Sequence, residues 1–224
     1  AEKYGGGIYN EDSDPAFTDV KFAENFSDKG GGLFFYLGSS QLTNVTFFSN
    51  TAVYSAGGLY SYECDLVLSN VLFTGNSTQN RGGGMILNYG TATMTDVSFT
   101  NNSSPSYGGG LDVSGSDPVI DRITFSGNSS NRGGGMYIYH SDPLISNALF
   151  TGNIAGEHGG GFYTYSSSPT VTASSFVNNY TGAYGGGMYN VLGHPALTNV
   201  TFSGNEAKEF GGGMFKSGGA FTLN

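Results

Sequence analysis

The sequence predicts an all-β fold, a right-handed single-stranded parallel β-helix of about eight and a half coils of 25–26 residues, forming one domain over residues 1–224. Three observations predict it. A glycine triplet returns at a near-constant interval, and a Phe and an Asn return in register behind it. The segments between are short runs rich in β-branched and aromatic residues, bounded by Gly, Asn and Ser, which is strand chemistry. No segment sustains a 3.6-residue apolar period, so helices are not expected.

The triplet begins at Gly5, Gly30, Gly82, Gly108, Gly133, Gly159, Gly185 and Gly211, with Ala56-Gly57-Gly58 in the remaining slot. Counting this first position as column one, column four is apolar throughout, from Ile8 and Leu33 to Met188 and Met214. Column thirteen is apolar from Phe17 to Leu197, and column eighteen is Phe in every full repeat, from Phe22 to Phe202. Column twenty-one is Asn25, Asn50, Asn76, Asn102, Asn128, Asn153, Asn179 and Asn205. A unit this short cannot bury its apolar face alone, so successive coils must stack. Stacking at about 4.8 Å places each column above itself. The Phe column is then expected as an internal aromatic stack, and the Asn column as an internal amide ladder from coil to coil. The triplet marks a corner where a Cβ would clash or where φ must be positive. Runs such as Leu42 to Phe47 and Leu197 to Phe202 read as strands.

Composition removes several classes of function. Eight basic residues stand against 17 acidic ones, for a net charge of −9, and no cationic run exists to neutralise phosphates, which excludes a nucleic-acid binder. No stretch approaches the roughly 20 apolar residues of a membrane span. The glycines are clustered and not placed every third residue, so collagen is excluded. The single cysteine, Cys64, excludes a disulfide scaffold and a multi-cysteine metal site. It is expected as an unpaired thiol on or near the surface. A start at Ala1 reads as a processed mature protein or an excerpt.

Gly82-Gly83-Gly84-Met85 is followed by Phe99-Thr100-Asn101-Asn102, and Gly133-Gly134-Gly135-Met136 by Phe150-Thr151-Gly152-Asn153. This pairing of a Gly-Gly-small-apolar signature with Phe-x-x-Asn resembles the paired motif of the chlamydial polymorphic outer-membrane proteins and related β-helix surface proteins. The resemblance runs over essentially the whole chain. It implies a secreted or autotransported passenger region, extracellular or at the cell surface, with adhesion as its role.

If column four points inward, strand alternation sends columns five and seven outward together. The candidate contact face is therefore aromatic: Tyr36, Tyr60, Tyr62, Tyr137, Tyr139, Tyr163, Tyr165 and Tyr189. A contiguous exposed aromatic patch suggests a partner surface; the alternative is a lateral ladder that stiffens the sheet. Two sequons, Asn44 and Asn199, fall in column fifteen and are expected to face outward as glycosylation acceptors, or to arise by chance in a Ser/Thr/Asn-rich repeat.

No cofactor and no metal is expected. His140, His158 and His194 lie in three different columns and are expected to be exposed. Asp14, Asp117 and Asp142 precede prolines and read as turn residues, with a structural calcium ion as the alternative. A polysaccharide hydrolase or lyase needs paired carboxylates beside a basic residue. Only Arg122, with Asp121 beside it and Asp96 one coil away, approaches that pattern, and it reads as a solvated surface pair. The chain begins and stops within coils, at Ala1 and Asn224, which leaves strand edges open for end-to-end pairing. The expectation is a non-catalytic extracellular structural or adhesive solenoid that self-associates end to end or laterally, or contacts surface glycans or host or neighbour-cell proteins. The alternative is a carbohydrate-binding or carbohydrate-active β-helix.

Overall fold

The computed structural model describes residues 1–220 together with 222 and 223. Every strand pairs in parallel with its equivalent one coil away: Leu33–Tyr36, for example, lies between Ile8–Glu11 and Leu59–Tyr62. A nine-stranded sheet carries columns four to seven, and a fifteen-stranded sheet carries the thirteenth and eighteenth columns. Two smaller sheets, of three and four strands, cover the segment after the Asn column. Strands stacked this way make a solenoid, in which each coil meets only its neighbours.

Each coil turns at four single residues in the left-handed region. Column one does so at Gly30 (φ 64°) and, without glycine, at Ala56 (φ 54°). Column eight does so at Leu37 and Tyr89, column fifteen at Asn44 and Arg122, and column twenty at Asn101 and Gly152. One such residue redirects the chain without a loop, at a cost of about 1–2 kcal/mol when it carries a Cβ. These corners correct the strand reading of the sequence. Asn44 (φ 56°) divides Leu42 to Phe47 between the strands Ser39–Thr43 and Thr46–Phe48, and Asn199 divides the equivalent run between Ala196–Thr198 and Thr201–Ser203.

The three glycines of a triplet answer three different demands. The first adopts positive φ. A Cβ on the second would meet the next coil's main chain, 2.3 Å from the Gly109 oxygen in the case of Gly83. A Cβ on the third, Gly84, would fall 2.6 Å from the Gly110 oxygen and 2.9 Å from the Phe99 ring. The close approach of backbone to backbone is what lets the Phe column stack inside. Phe47, Phe73 and Phe99 stack nearly parallel, with centroids 4.7 and 4.6 Å apart, and the column is fully buried from Phe47 to Phe176.

The Asn column runs beside it. Asn50 Nδ2 donates to Asn76 Oδ1 in the next coil (3.0 Å) and to the Phe22 carbonyl oxygen in the previous one (2.9 Å). The Asn50 main-chain N–H donates to the same Asn76 Oδ1 (3.0 Å). The pattern repeats up the solenoid to Asn205. From Asn50 to Asn179 these side chains are fully buried; Asn25 and Asn205, near the two ends, are half-buried.

Cys64, expected near the surface, is buried. It occupies column nine, just inside the left-handed corner at Glu63, where the other coils carry only Ser or Gly. The coil above presses directly on it: a Cβ on Gly90 would lie 2.1 Å from the Cys64 oxygen. Burial pushes the thiol up to about 11. The expected end-to-end contact involves Phe221 and Asn224, which lie outside the described residues.

Candidate functional site

The outer face of the nine-stranded sheet carries the aromatic columns. Column six points into the main core, where Phe35, Leu87, Val113 and Ile138 are buried, so columns five and seven point the other way. A further column joins them. The residue preceding each triplet is swung by the glycine corner onto the same face. It is large in every coil except at Ser55, running Tyr4, Lys29, Arg81, Tyr107, Arg132, His158, Tyr184 and Phe210.

This flanking column covers column five. Tyr107 packs on Tyr137 (4.7 Å between centroids), His158 on Tyr189 (4.7 Å) and Tyr184 on Phe215 (5.0 Å). The Lys29 ammonium sits 5.9 Å from the Tyr60 ring. Tyr60, Tyr137, Tyr163 and Tyr189 are left only 9, 9, 6 and 9% exposed. These four residues, expected on the contact surface, are therefore a second core laid on the outside of the sheet. Burial pushes the Tyr163 hydroxyl up to about 12, and raises that of Tyr137 further.

Column seven reaches the surface beside the flanking column, whose Tyr4 and Phe210 are exposed, as is Tyr9 of column five. Tyr36 stacks on Tyr62 and Tyr139 on Tyr165, each pair 5.7 Å apart. Tyr36, Tyr62 and Tyr165 are half-buried and Tyr139 is exposed. Tyr89, at a left-handed corner, stands against the edge of Tyr62 and is the most exposed ring of the group. Neither Tyr89 nor the flanking column was expected at this site, although the run of large residues before each triplet is visible in the sequence.

On the aromatic face one carboxylate is fully buried. In column five Asp112 takes the position of a ring and is fully buried. Arg81 clasps it with Nε on Oδ2 (2.6 Å) and Nη2 on Oδ1 (2.8 Å), and Nη2 also reaches Ser114 Oγ (2.9 Å). Desolvation raises the Asp112 carboxyl, and the guanidinium pulls against it. Two depressions open on this face. One of about 360 Å³ lies among Tyr4, Tyr9, Lys29, Tyr36 and Tyr62. The other, about 170 Å³, is lined by Arg81, Tyr107, Ser114, Tyr137 and Tyr139.

The histidines remain apart. His140 and His194 are exposed, but His158 is half-buried, against expectation, because its ring is stacked on Tyr184 and Tyr189 of the next coil. Its Nδ1 has no hydrogen-bond partner among the described residues, and burial followed by the charge of Arg132 lowers its pKa. No group of three or more His, Cys, Asp or Glu among the described residues is arranged to hold a metal ion. Asp14, Asp117 and Asp142 each accept from a main-chain N–H of the next coil.

Arg122 stands on an exposed corner. Its Nε donates to Asp96 (2.8 Å), and its Nη1 to Asp121. Both carboxyls are held below their usual range, Asp96 by Arg122 and Asp121 first by Asn147 and Ser146. A general acid needs a raised pKa, and neither carboxyl has one. Asn44 and Asn199 are exposed at their corners. Asn44 is engaged in an outer ladder between Asp19 and Asn70 (2.9 and 2.8 Å).

The family model described as a right-handed beta helix region matches residues 6–176 and 69–223. The chain belongs to that family. No curated protein and no solved structure matches it.

Proposed function

We propose that this β-helix is a non-catalytic structural and adhesive module of an extracellular or cell-surface protein, of the kind its motifs share with the chlamydial polymorphic outer-membrane proteins. The observation that carries the reading is the layered aromatic face. Tyrosines of column seven are presented in register on a rigid, buried aromatic bed. Tyrosine brings a large amphipathic contact area with few rotamers to lose, and a supported ring loses fewer still on binding. The partners of such a face are surface glycans, neighbour-cell proteins or further copies of the chain packed side by side.

The test is adhesion under flow. Beads carrying the chain are passed over films of cellulose, mannan and collagen, beside beads carrying the Tyr36→Ser, Tyr62→Ser, Tyr139→Ser, Tyr165→Ser variant. Retention of the wild type on at least one film, lost in the folded variant, is expected. Equal retention of both, or release of reducing ends from the polysaccharide films, would refute the proposal.

A further inference from the structure

We infer that the depression beside Tyr139 binds one neutral pyranose of a glycan chain, an inference that rests on the column-seven face being the contact surface. Register along the sheet orders this column as Tyr62, Asn88, Ser114, Tyr139 and Tyr165. The tyrosine ladder therefore lacks two members, and Tyr62 and Tyr139 are three coils, or roughly 14 Å, apart. Tyr139 covers Tyr165 with one face. Tyr139 also lines the depression that holds Ser114, with the His140 ring standing perpendicular to it at 4.2 Å. A ring-shaped ligand standing on Ser114 would continue the stack, with its C–H face against the electron-rich face of Tyr139.

The floor of the depression is polar. Arg81 spends Nε and Nη2 on Asp112 and Ser114, and its Nη1 has no partner among the described residues. Ser114 and the tyrosines at 107 and 137 also line the space. A few convergent polar groups beneath an aromatic wall suit a polyhydroxylated ring. An apolar side chain from a partner protein would cover the remaining Nη1 of Arg81 without pairing it, which costs affinity. Charge selects further. Asp112 neutralises Arg81, and the chain as a whole carries −9, so an acidic sugar meets no net attraction at the floor and repulsion from the whole.

The test is isothermal titration calorimetry of the full chain with cellohexaose, xylohexaose and mannohexaose, with hexagalacturonate as the charged comparison. At least one neutral hexaose is expected to bind. Tyr139→Ala should weaken it by about tenfold or more, the loss of one stacking contact, while Tyr139→Phe keeps it and Leu144→Ala, exposed on the fifteen-stranded sheet, leaves it unchanged. Circular dichroism and a cooperative melt show that each variant is folded. Binding of none of the neutral hexaoses, tighter binding of hexagalacturonate, or unchanged binding by Tyr139→Ala would each overturn the inference. If adhesion depends on the four tyrosines but no hexaose binds, the pyranose site fails and the contact face stands. If a hexaose binds through Tyr139 but adhesion ignores the tyrosines, the reverse holds.

Discussion

Asn102 Oδ1 accepts two hydrogen bonds from Asn76, one from its main-chain N–H (2.9 Å) and one from its Nδ2 (3.0 Å). Asn102 Nδ2 then donates to the Phe73 carbonyl oxygen (2.9 Å) and to Asn128 Oδ1 (3.0 Å). One fully buried amide thus ties three coils together with every lone pair and proton used.

Replacing Asn102 with Ala strands two donors on Asn76 and an acceptor on Phe73. Each buried group left unpaired costs about 1–3 kcal/mol, so the urea midpoint should fall steeply. Asn25→Ala, at the half-buried end of the ladder, should cost less. Equal midpoints for the two variants would show that burial of the ladder contributes little.

The glycines separate into sterically and conformationally required ones. Gly152 (φ +61°) has open space around its missing Cβ, so Gly152→Ala should cost only the left-handed strain, about 1–2 kcal/mol. Gly83→Ala places a methyl 2.3 Å from a main-chain oxygen of the next coil and should abolish the cooperative melt. Comparable thermal denaturation of the two variants would contradict this division.

His158 makes stability depend on pH. Its pKa is lowered in the folded chain from the ordinary 6.5, so the unfolded chain takes up its proton first. Stability is then complete above 6.5 and falls as pH drops from there to the folded value, because protons favour the unfolded state. Glu157 is held below the ordinary 4.5, first by its hydrogen bond from Asn131. His158→Tyr, the residue that column carries at Tyr107 and Tyr184, should flatten the loss between pH 7 and pH 5.5 in urea titrations. An unchanged slope would assign it to other groups.

Cys64 should resist alkylation. Its thiol is fully buried and pushed up to about 11, and only the thiolate reacts. Iodoacetamide labelling followed by mass spectrometry should be negligible in buffer and complete in guanidinium chloride. Rapid labelling of the native chain would place the thiol at the surface.

The stack of coils was legible in the sequence because Gly, Phe and Asn in columns one, eighteen and twenty-one report environments that few other residues satisfy. The left-handed corners were less so. Leu37, Tyr89, Arg122 and Leu192 adopt positive φ with side chains that do not advertise it, because coil stacking overrides local preference there. Tyrosine exposure was misjudged for a related reason. Alternation along Leu59–Tyr62 says which side of the sheet Tyr60 faces. It cannot say that Lys29 and its column fold over that side, since the contact is made around the glycine corner, about a coil away in sequence.

The layering of the aromatic face is tested most directly by nitrating the folded chain with tetranitromethane and mapping the modified tyrosines by mass spectrometry. Tyr89 and Tyr54, 62 and 54% exposed, should react first together with Tyr4, Tyr9 and Tyr139, followed by Tyr36, Tyr62 and Tyr165. The covered column-five tyrosines, Tyr60, Tyr137, Tyr163 and Tyr189, should stay unmodified until the chain is unfolded, unlike Tyr9 of the first coil, which is 43% exposed. Nitration of Tyr60, Tyr137, Tyr163 and Tyr189 at the rate of column seven would contradict a contact surface carried on a buried aromatic bed.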